Sequence, residues 1–202
     1  LTPAAFCGVT GLRPTYGLVS RAGAMALSWT LDKIGPLARS AEDCGIILDA
    51  IAGGDGNDPG SAGKGFYFAP QFAKPLSELT IGYAPVDWDE WAEPETRAAF
   101  REALAVFKSL GVRLQEVELP DFPYGALVST ILQGEAGSIF EDLMESGRVQ
   151  ELADEKQIAG LVATQSVLAK DYLRAMRIRR LVVEQFRDFF YELDMVLAPT
   201  RS

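Results

Sequence analysis

The sequence contains no histidine. That absence removes the usual base of Ser-His-Asp and Cys-His catalysis, together with the commonest ligand of zinc sites. Cysteine is scarce, with Cys7 and Cys44 the only two in 202 residues. Two isolated cysteines in a chain this long read as buried, reduced thiols of a cytoplasmic protein rather than as a disulfide framework. Basic residues are outnumbered, 19 Lys and Arg against 28 Asp and Glu, for a formal charge of -9. Direct binding of nucleic acid needs a cationic surface, so this balance argues against it. No apolar run approaches the roughly 18–20 residues of a membrane span, and no basic-then-apolar secretory leader is present.

What the chain does contain is enough apolar material for a core. With 48% hydrophobic and 23% charged residues it reads as one globular domain with a helical extension. Ser40-Ala41-Glu42-Asp43 supplies a capping serine and first-turn acids, and Cys44, Ile47, Leu48 and Ile51 follow at helical spacing until Gly53-Gly54. The stretch from Asp55 to Gly65 is a surface loop by composition. Pro59 and the lack of a closing glutamate exclude a calcium loop there, and no Gly-Lys-Ser/Thr completes a phosphate loop.

Leu79 to Tyr83 alternates as a strand, and Pro94 opens a helix carrying Phe100, Ala103, Leu104 and Phe107 on one face. Val112 to Leu119 returns as a strand whose alternation slips near Gln115 and Glu116, as a bulge would produce. The crossover rule favours a parallel pairing of the two strands. Trp88 and Trp91 sit in an acidic loop that reads either as a partner patch or as half-buried packing.

From Tyr124 the pattern is helical, with Leu127, Val128, Ile131, Leu132, Ala136, Ile139, Phe140 and Leu143 on one stripe and Glu135 beside it. Asp154-Glu155-Lys156 begins a polar stretch. Ser166 then starts the longest helix, predicted to reach Leu193. Arg179 falls on that helix's apolar stripe, between Ala175 and Val182, whereas Arg177, Arg180 and Arg187 fall off it. A guanidinium on a buried face requires an anion. That anion is either a protein carboxylate, Glu135 or Asp194, or the carboxylate of a substrate, and the planar fork of arginine suits both.

The opening stretch is punctuated by Gly, Pro and small residues, from Ser20 to Gly35 without a helical period. In it Asp32 is expected to accept backbone N–H bonds in the turn before Gly35-Pro36. Trp29 beside a serine in an apolar loop either covers a substrate pocket or simply packs.

The order of residues here resembles the amidase signature family. The matching blocks are Pro3-Ala4-Ala5-Phe6-Cys7-Gly8, Gly11-Leu12-Arg13-Pro14-Thr15-Tyr16-Gly17, Ser28-Trp29-Thr30-Leu31-Asp32-Lys33-Ile34-Gly35-Pro36 and Ala38-Arg39-Ser40-Ala41-Glu42-Asp43. The likeness returns in Arg179-Arg180-Leu181-Val182 and in Asp194-Met195-Val196-Leu197-Ala198-Pro199-Thr200. It implies an α/β amidase signature fold, incomplete here, with a mixed β-sheet flanked by helices. As a partial domain it divides into an α/β portion over 1–122, a mainly helical portion over 123–193 and the start of a further core strand over 194–202.

The resemblance also implies hydrolysis of a small carboxamide by a serine nucleophile, a bridging serine and a lysine base, with no metal and no cofactor. A base of that kind needs no histidine. All three residues are expected before Leu1, the nucleophile two residues before it, so the resemblance assigns no catalytic residue within the chain and predicts that it is inactive alone. Substrate contacts implied inside it are Thr2, near the nucleophile or else a frayed end, Trp29, and Arg179. The last matches an arginine that binds the α-carboxylate of glutamine in the glutaminase subunits of glutamyl-tRNA amidotransferases. Leu1 stands where many members carry arginine. The implied partner is a small-molecule amide, with neither nucleic acid nor membrane; a homodimer remains an option. A glutaminase subunit of a tRNA-dependent amidotransferase and a non-catalytic binding module are the alternatives.

Overall fold

The computed structural model describes residues 2–87, 90 and 92–199. Trp88, Trp91 and Thr200 lie outside the described residues. A short helix α1 (Thr2–Cys7) leads into β1 (Thr10–Gly11), which pairs antiparallel with β2 (Leu37–Ala38). Between these strands runs the long irregular segment that carries Trp29.

Helix α2 (Ala41–Ile51) begins where its capping signal predicts, with Ser40 Oγ accepting from Asp43 N at 3.0 Å. Such a cap is worth about 1 kcal/mol. Its buried face is Cys44 and Leu48, while Ile47 and Ile51 are exposed. The two cysteines part company: both are free, but Cys7 is exposed and only Cys44 is buried. At the end of a six-residue helix, Cys7 has too little structure over it to be covered.

Strand β3 (Thr80–Tyr83), helix α3 (Pro94–Ser109) and β4 (Arg113–Glu116) form a parallel strand-helix-strand unit. Strand β5 (Met195–Leu197) joins the other side of β3, also parallel, giving the order β4-β3-β5. Parallel and antiparallel pairings thus occupy two separate small sheets among the described residues. The bulge expected near Gln115 and Glu116 is absent, because the register runs unbroken from Thr80 opposite Arg113 to Tyr83 opposite Glu116. The slipped alternation has another cause. In this sheet β4 is an edge strand with most of its residues exposed, so polar side chains cost little on either face.

Two long helices, α4 (Tyr124–Ile139) and α7 (Ala169–Phe189), pack together around Leu127, Ile131 and Ala175. Each fully buried aliphatic side chain of this kind contributes about 1.5–3 kcal/mol. The predicted stripe from Leu127 to Leu143 is split at Phe140, whose ψ of 17° leaves the helical region before α5 (Glu141–Glu145) starts. The polar stretch after Asp154 is a helix, α6 (Glu155–Thr164), with Asp154 as its cap accepting from Lys156 N at 2.9 Å. The last helix starts at Ala169 and ends at Phe189, inside the predicted limits. Leu31, from the segment between β1 and β2, packs against the α4–α7 core together with Tyr172, Met176, Ile178 and Val182. That contact ties the irregular segment to the helical layer and positions the site described next.

Candidate functional site

Residues 27–33 are shaped by one internal turn and one buried carboxylate. Asp32 Oδ2 accepts from Leu27 N at 2.8 Å and from Ser28 N at 2.9 Å, so the aspartate closes the turn through backbone N–H groups, as expected. Glu135, on α4 and only 3% exposed, reaches across to the same loop. Its Oε2 accepts from Ser28 Oγ at 2.5 Å and from Thr30 N at 3.0 Å. Its Oε1 accepts from Thr30 Oγ1 at 2.8 Å and from the Tyr172 hydroxyl of α7 at 2.8 Å. Burial pushes the Glu135 carboxyl upward, but the bonds from Ser28, Thr30 and Tyr172 outweigh it and leave the group below its ordinary value. Burial, and then the bond to Glu135, push the Tyr172 hydroxyl up.

Arg179 meets this loop rather than a carboxylate. Its Nη1 donates to Thr30 Oγ1 at 2.8 Å and its Nη2 to the Thr30 carbonyl at 3.0 Å. Neither protein partner suggested by the sequence is in direct contact with it. Thr30 stands between Arg179 and Glu135, and Asp194 is engaged elsewhere, pairing with Lys74 at 2.7 Å and accepting from Thr80 N at 2.9 Å.

The outer side of the loop is fixed by a second network. Arg21 forks onto Asp58, with Nη2 to Oδ1 at 3.0 Å and Nε to Oδ2 at 3.2 Å, and its guanidinium lies 4.6 Å from the centre of the Tyr16 ring. Asp58 is 7% exposed, so the stretch expected to be a surface loop folds back here and buries one of its acids. Hydrogen bonds from Arg21 hold the Asp58 carboxyl far below the usual carboxylate range. The Trp29 carbonyl accepts both from Arg21 Nη1 at 2.7 Å and from the Tyr16 hydroxyl at 2.7 Å.

With its backbone held, Trp29 keeps its side chain half exposed, at 51%, in the wall of a cleft of about 330 Å³. Arg21, Met25, Leu27, Lys33 and Asp58 share that wall. Lys33 also lines a second cleft of about 220 Å³, with Pro3, Arg13 and Gly35. Trp29 and Arg179 are therefore brought together through Thr30. Thr2 stands apart from them, exposed at the start of α1 and next to Pro3 of the second cleft.

Chemically the arrangement can grip a polar ligand but offers no attacking group. Ser28 is wholly buried and its hydroxyl is committed to Glu135. No group of His, Cys, Asp and Glu side chains suited to a metal ion occurs among the described residues. Sequence reasoning missed Ser28, Thr30, Tyr172, Lys33 and the Arg21–Asp58 pair. The two hydroxyls flanking Trp29 carried a usable signal, since a Ser-x-Thr step facing a helix with an isolated buried glutamate can satisfy its oxygens.

Comparisons with known proteins agree in one direction. A family model described as Amidase matches residues 1–202. The A subunit of the glutamyl-tRNA(Gln) amidotransferase of Chromohalobacter salexigens is 35% identical over an alignment 222 positions long, covering 98% of this chain and 46% of that protein. Its counterpart in Thermosynechococcus vestitus is 34% identical with the same coverage, 98% and 46%. The chain thus spans about half the length of the curated relatives it matches. Among solved structures, a chain from a vestigial protein complex that bears on the origins of an s-triazine catabolic enzyme superposes with a TM-score of 0.84 at 30% identity, covering 98% of this chain and 42% of that one. The glutamyl-tRNA(Gln) amidotransferase A chain of Thermotoga maritima superposes with a TM-score of 0.78 at 26% identity, covering 98% and 43%.

Proposed function

The chain belongs to the amidase family, and from that premise we propose that its protein hydrolyses the C–N bond of a small carboxamide through a serine acyl-enzyme. In this reading a lysine takes a proton through a bridging serine, a second serine attacks the carbonyl, and the amine leaves before water releases the acid. Those three residues belong to sequence outside residues 1–202, and this chain supplies the binding wall: Trp29 over the cleft, Arg179 behind Thr30, and Thr2 at the head of α1. The observation that carries the reading is the Glu135 clamp. Three hydrogen bonds from the loop to one buried carboxylate, itself steadied by a fourth from Tyr172 of α7, fix the segment on which Trp29 is displayed, which is the preorganisation a substrate-binding wall requires. A cytoplasmic location goes with this reading, since an exposed free thiol such as Cys7 persists in a reducing compartment.

The test is ammonia release from a panel of carboxamides by the complete polypeptide and by residues 1–202 alone, with an electrophilic sulfonyl fluoride as a probe of an activated serine. Turnover and a single covalent adduct are expected for the complete polypeptide, and neither for residues 1–202. Turnover by residues 1–202, or a complete polypeptide that takes up no label and releases no ammonia, overturns the proposal.

A second reading, the glutaminase subunit of a tRNA-dependent amidotransferase, is favoured by the names of the relatives matched over 98% of the chain. It predicts that glutamine is the preferred amide and that its hydrolysis rises when partner subunits are added.

A further inference from the structure

The peptide that follows Trp29 is gripped on both of its edges. Its N–H, that of Thr30, donates to Glu135 Oε2 at 3.0 Å. Its carbonyl, that of Trp29, accepts two bonds at 2.7 Å, from Arg21 Nη1 and from the Tyr16 hydroxyl. The peptide before Trp29 is held as well, because the Ser28 carbonyl accepts from Asp32 N at 3.0 Å. A peptide unit is planar, so one fastened by opposite edges cannot turn. The direction in which the indole leaves the backbone is thereby set, and Arg21 and Tyr16 set it from the side that Glu135 does not reach.

Arg21 owes its own place to Asp58. Asp58 Oδ2 accepts from Arg21 N at 2.9 Å and from Nε at 3.2 Å, and Oδ1 accepts from Nη2 at 3.0 Å and from Gly60 N at 2.8 Å. That fork uses one edge of the guanidinium and leaves Nη1 for Trp29. The side chains of Arg21 and Asp58 are only 15% and 5% exposed, so water does not replace these bonds freely. A second observation bears on the same spot. A Cβ at Gly60 would meet the Arg21 guanidinium and the Tyr16 hydroxyl, so the turn after Asp58 closes directly over both donors to Trp29. The Tyr16 ring lies 4.6 Å from the Arg21 guanidinium carbon, which couples the two donors to each other. The chain from Asp58 through Arg21 to the Trp29 carbonyl thus connects a loop 29 residues further along the sequence to the wall of the cleft.

We propose that Asp58 and Arg21 are positioning residues of the cleft: the pair sets the attitude of the Trp29 indole and, through it, the affinity for a ligand group that packs on that ring. The inference deepens the reading of Trp29 as part of a substrate-binding wall and in that respect rests on it.

The experiment uses the complete polypeptide labelled with 5-fluorotryptophan, with the Trp29 fluorine resonance identified by its loss in Trp29→Ala. Arg21→Lys keeps the charge but cannot serve Asp58 and the Trp29 carbonyl together, and Asp58→Asn keeps the shape of the carboxylate while breaking the fork. Each should shift or broaden the Trp29 resonance and leave the other indole resonances in place. If Arg21→Lys disturbs every indole resonance, the milder Asp58→Asn decides. Calorimetric binding of benzamide, with acetamide as the probe that lacks a ring, reads the consequence. Either variant should weaken benzamide binding about fivefold to tenfold with acetamide little changed, and in a Trp29→Ala background the same substitution should have almost no effect. An unmoved Trp29 resonance, an equal loss of benzamide affinity with and without Trp29, or no benzamide binding by the natural protein overturns the inference. Ammonia release from the carboxamide panel separates the two claims. Coupling to Trp29 without turnover keeps this inference and removes the hydrolysis reading, and turnover without coupling does the reverse.

Discussion

Replacing Glu135 by alanine removes the acceptor of four hydrogen bonds at once, and the structure sets the size of the effect. Bonds to a charged acceptor contribute about 1.5–3 kcal/mol each, which would sum to an implausible loss if they were independent. They are not independent, because the hydroxyls of Ser28, Thr30 and Tyr172 can turn toward water admitted to the vacated space. Each buried donor that such water fails to satisfy costs about 1–3 kcal/mol, which puts the whole loss at about 3–5 kcal/mol. We expect Glu135→Ala to fall in that range, which for a chain of this size lowers Tm by about 10 °C.

Glu135→Gln separates charge from shape. The amide carbonyl can stand in for Oε2 and keep the bonds from Ser28 and Thr30 N, while the NH2 group faces the Thr30 and Tyr172 hydroxyls in place of Oε1. Tyr172 can accept instead of donate, but the Thr30 hydroxyl, which already accepts from Arg179 Nη1, loses the acceptor for its own proton. One poor contact then costs about 1–2 kcal/mol. Urea denaturation of both variants, with Tyr172→Phe to complete a double-mutant cycle, measures the terms directly. A coupling of about 1 kcal/mol between Glu135 and Tyr172 is expected. An alanine variant within about 1 kcal/mol of the natural protein, or a glutamine variant as damaging as alanine, would refute the clamp.

Three further outcomes follow from the same geometry. Glu135 and Asp58 both carry depressed carboxyl pKa values in the folded protein, so their stabilisation is complete above the unfolded values near pH 4 and is lost as pH falls through the folded ones. Urea midpoints should be level from about pH 7 to 5 and fall below about pH 4, less steeply in Glu135→Gln; midpoints that rise on acidification contradict this. Gly60→Ala should cost about 1–3 kcal/mol by thermal unfolding, because its Cβ would meet the Arg21 guanidinium and the Tyr16 hydroxyl, whereas Gly56→Ala meets nothing and should be near neutral. Lys33→Met should not lower Tm at neutral pH, since burial and neighbouring arginines already disfavour the lysine's charge; a clear loss would mean that Lys33 is a structural partner.

Local signals are legible where chemistry is local. Ser40 with Glu42 and Asp43 marks the start of α2, Pro94 marks α3, and the alternation of Leu79 to Tyr83 marks β3. The α6 helix is masked because its capping Asp154 sits in a run of charges, where a cap and a solvated loop look alike. The break at Phe140 is invisible since the apolar periodicity continues across it while the backbone leaves helical dihedrals there. Asp58 looks like a loop acid because its partner, Arg21, lies 37 residues away, beyond the reach of any pattern of spacing.

Arg179 shows what that limit means for the site. Its place on an apolar stripe correctly marks a cation in need of a partner, and Glu135 does lie close by, yet the contact runs through Thr30, 149 residues away. Thr30 Oγ1 accepts from Arg179 and donates to Glu135, so the hydroxyl passes the carboxylate's influence to the guanidinium without an ion pair. Had Arg179 been forked directly onto Glu135, a substrate carboxylate would have had to break a buried pair worth several kcal/mol. Held by a neutral hydroxyl and a carbonyl, the guanidinium is oriented but not neutralised, and a charged acceptor forms bonds roughly twice as strong as those it would displace. Thr30 would keep its bonds to Glu135 through such an exchange, so the loop that displays Trp29 need not loosen when Arg179 turns to a ligand. The substrate-binding role proposed for Arg179 therefore depends on Thr30. Thr30→Val, which removes the relay, should lower the affinity for an anionic amide in a calorimetric titration even though valine touches no substrate atom.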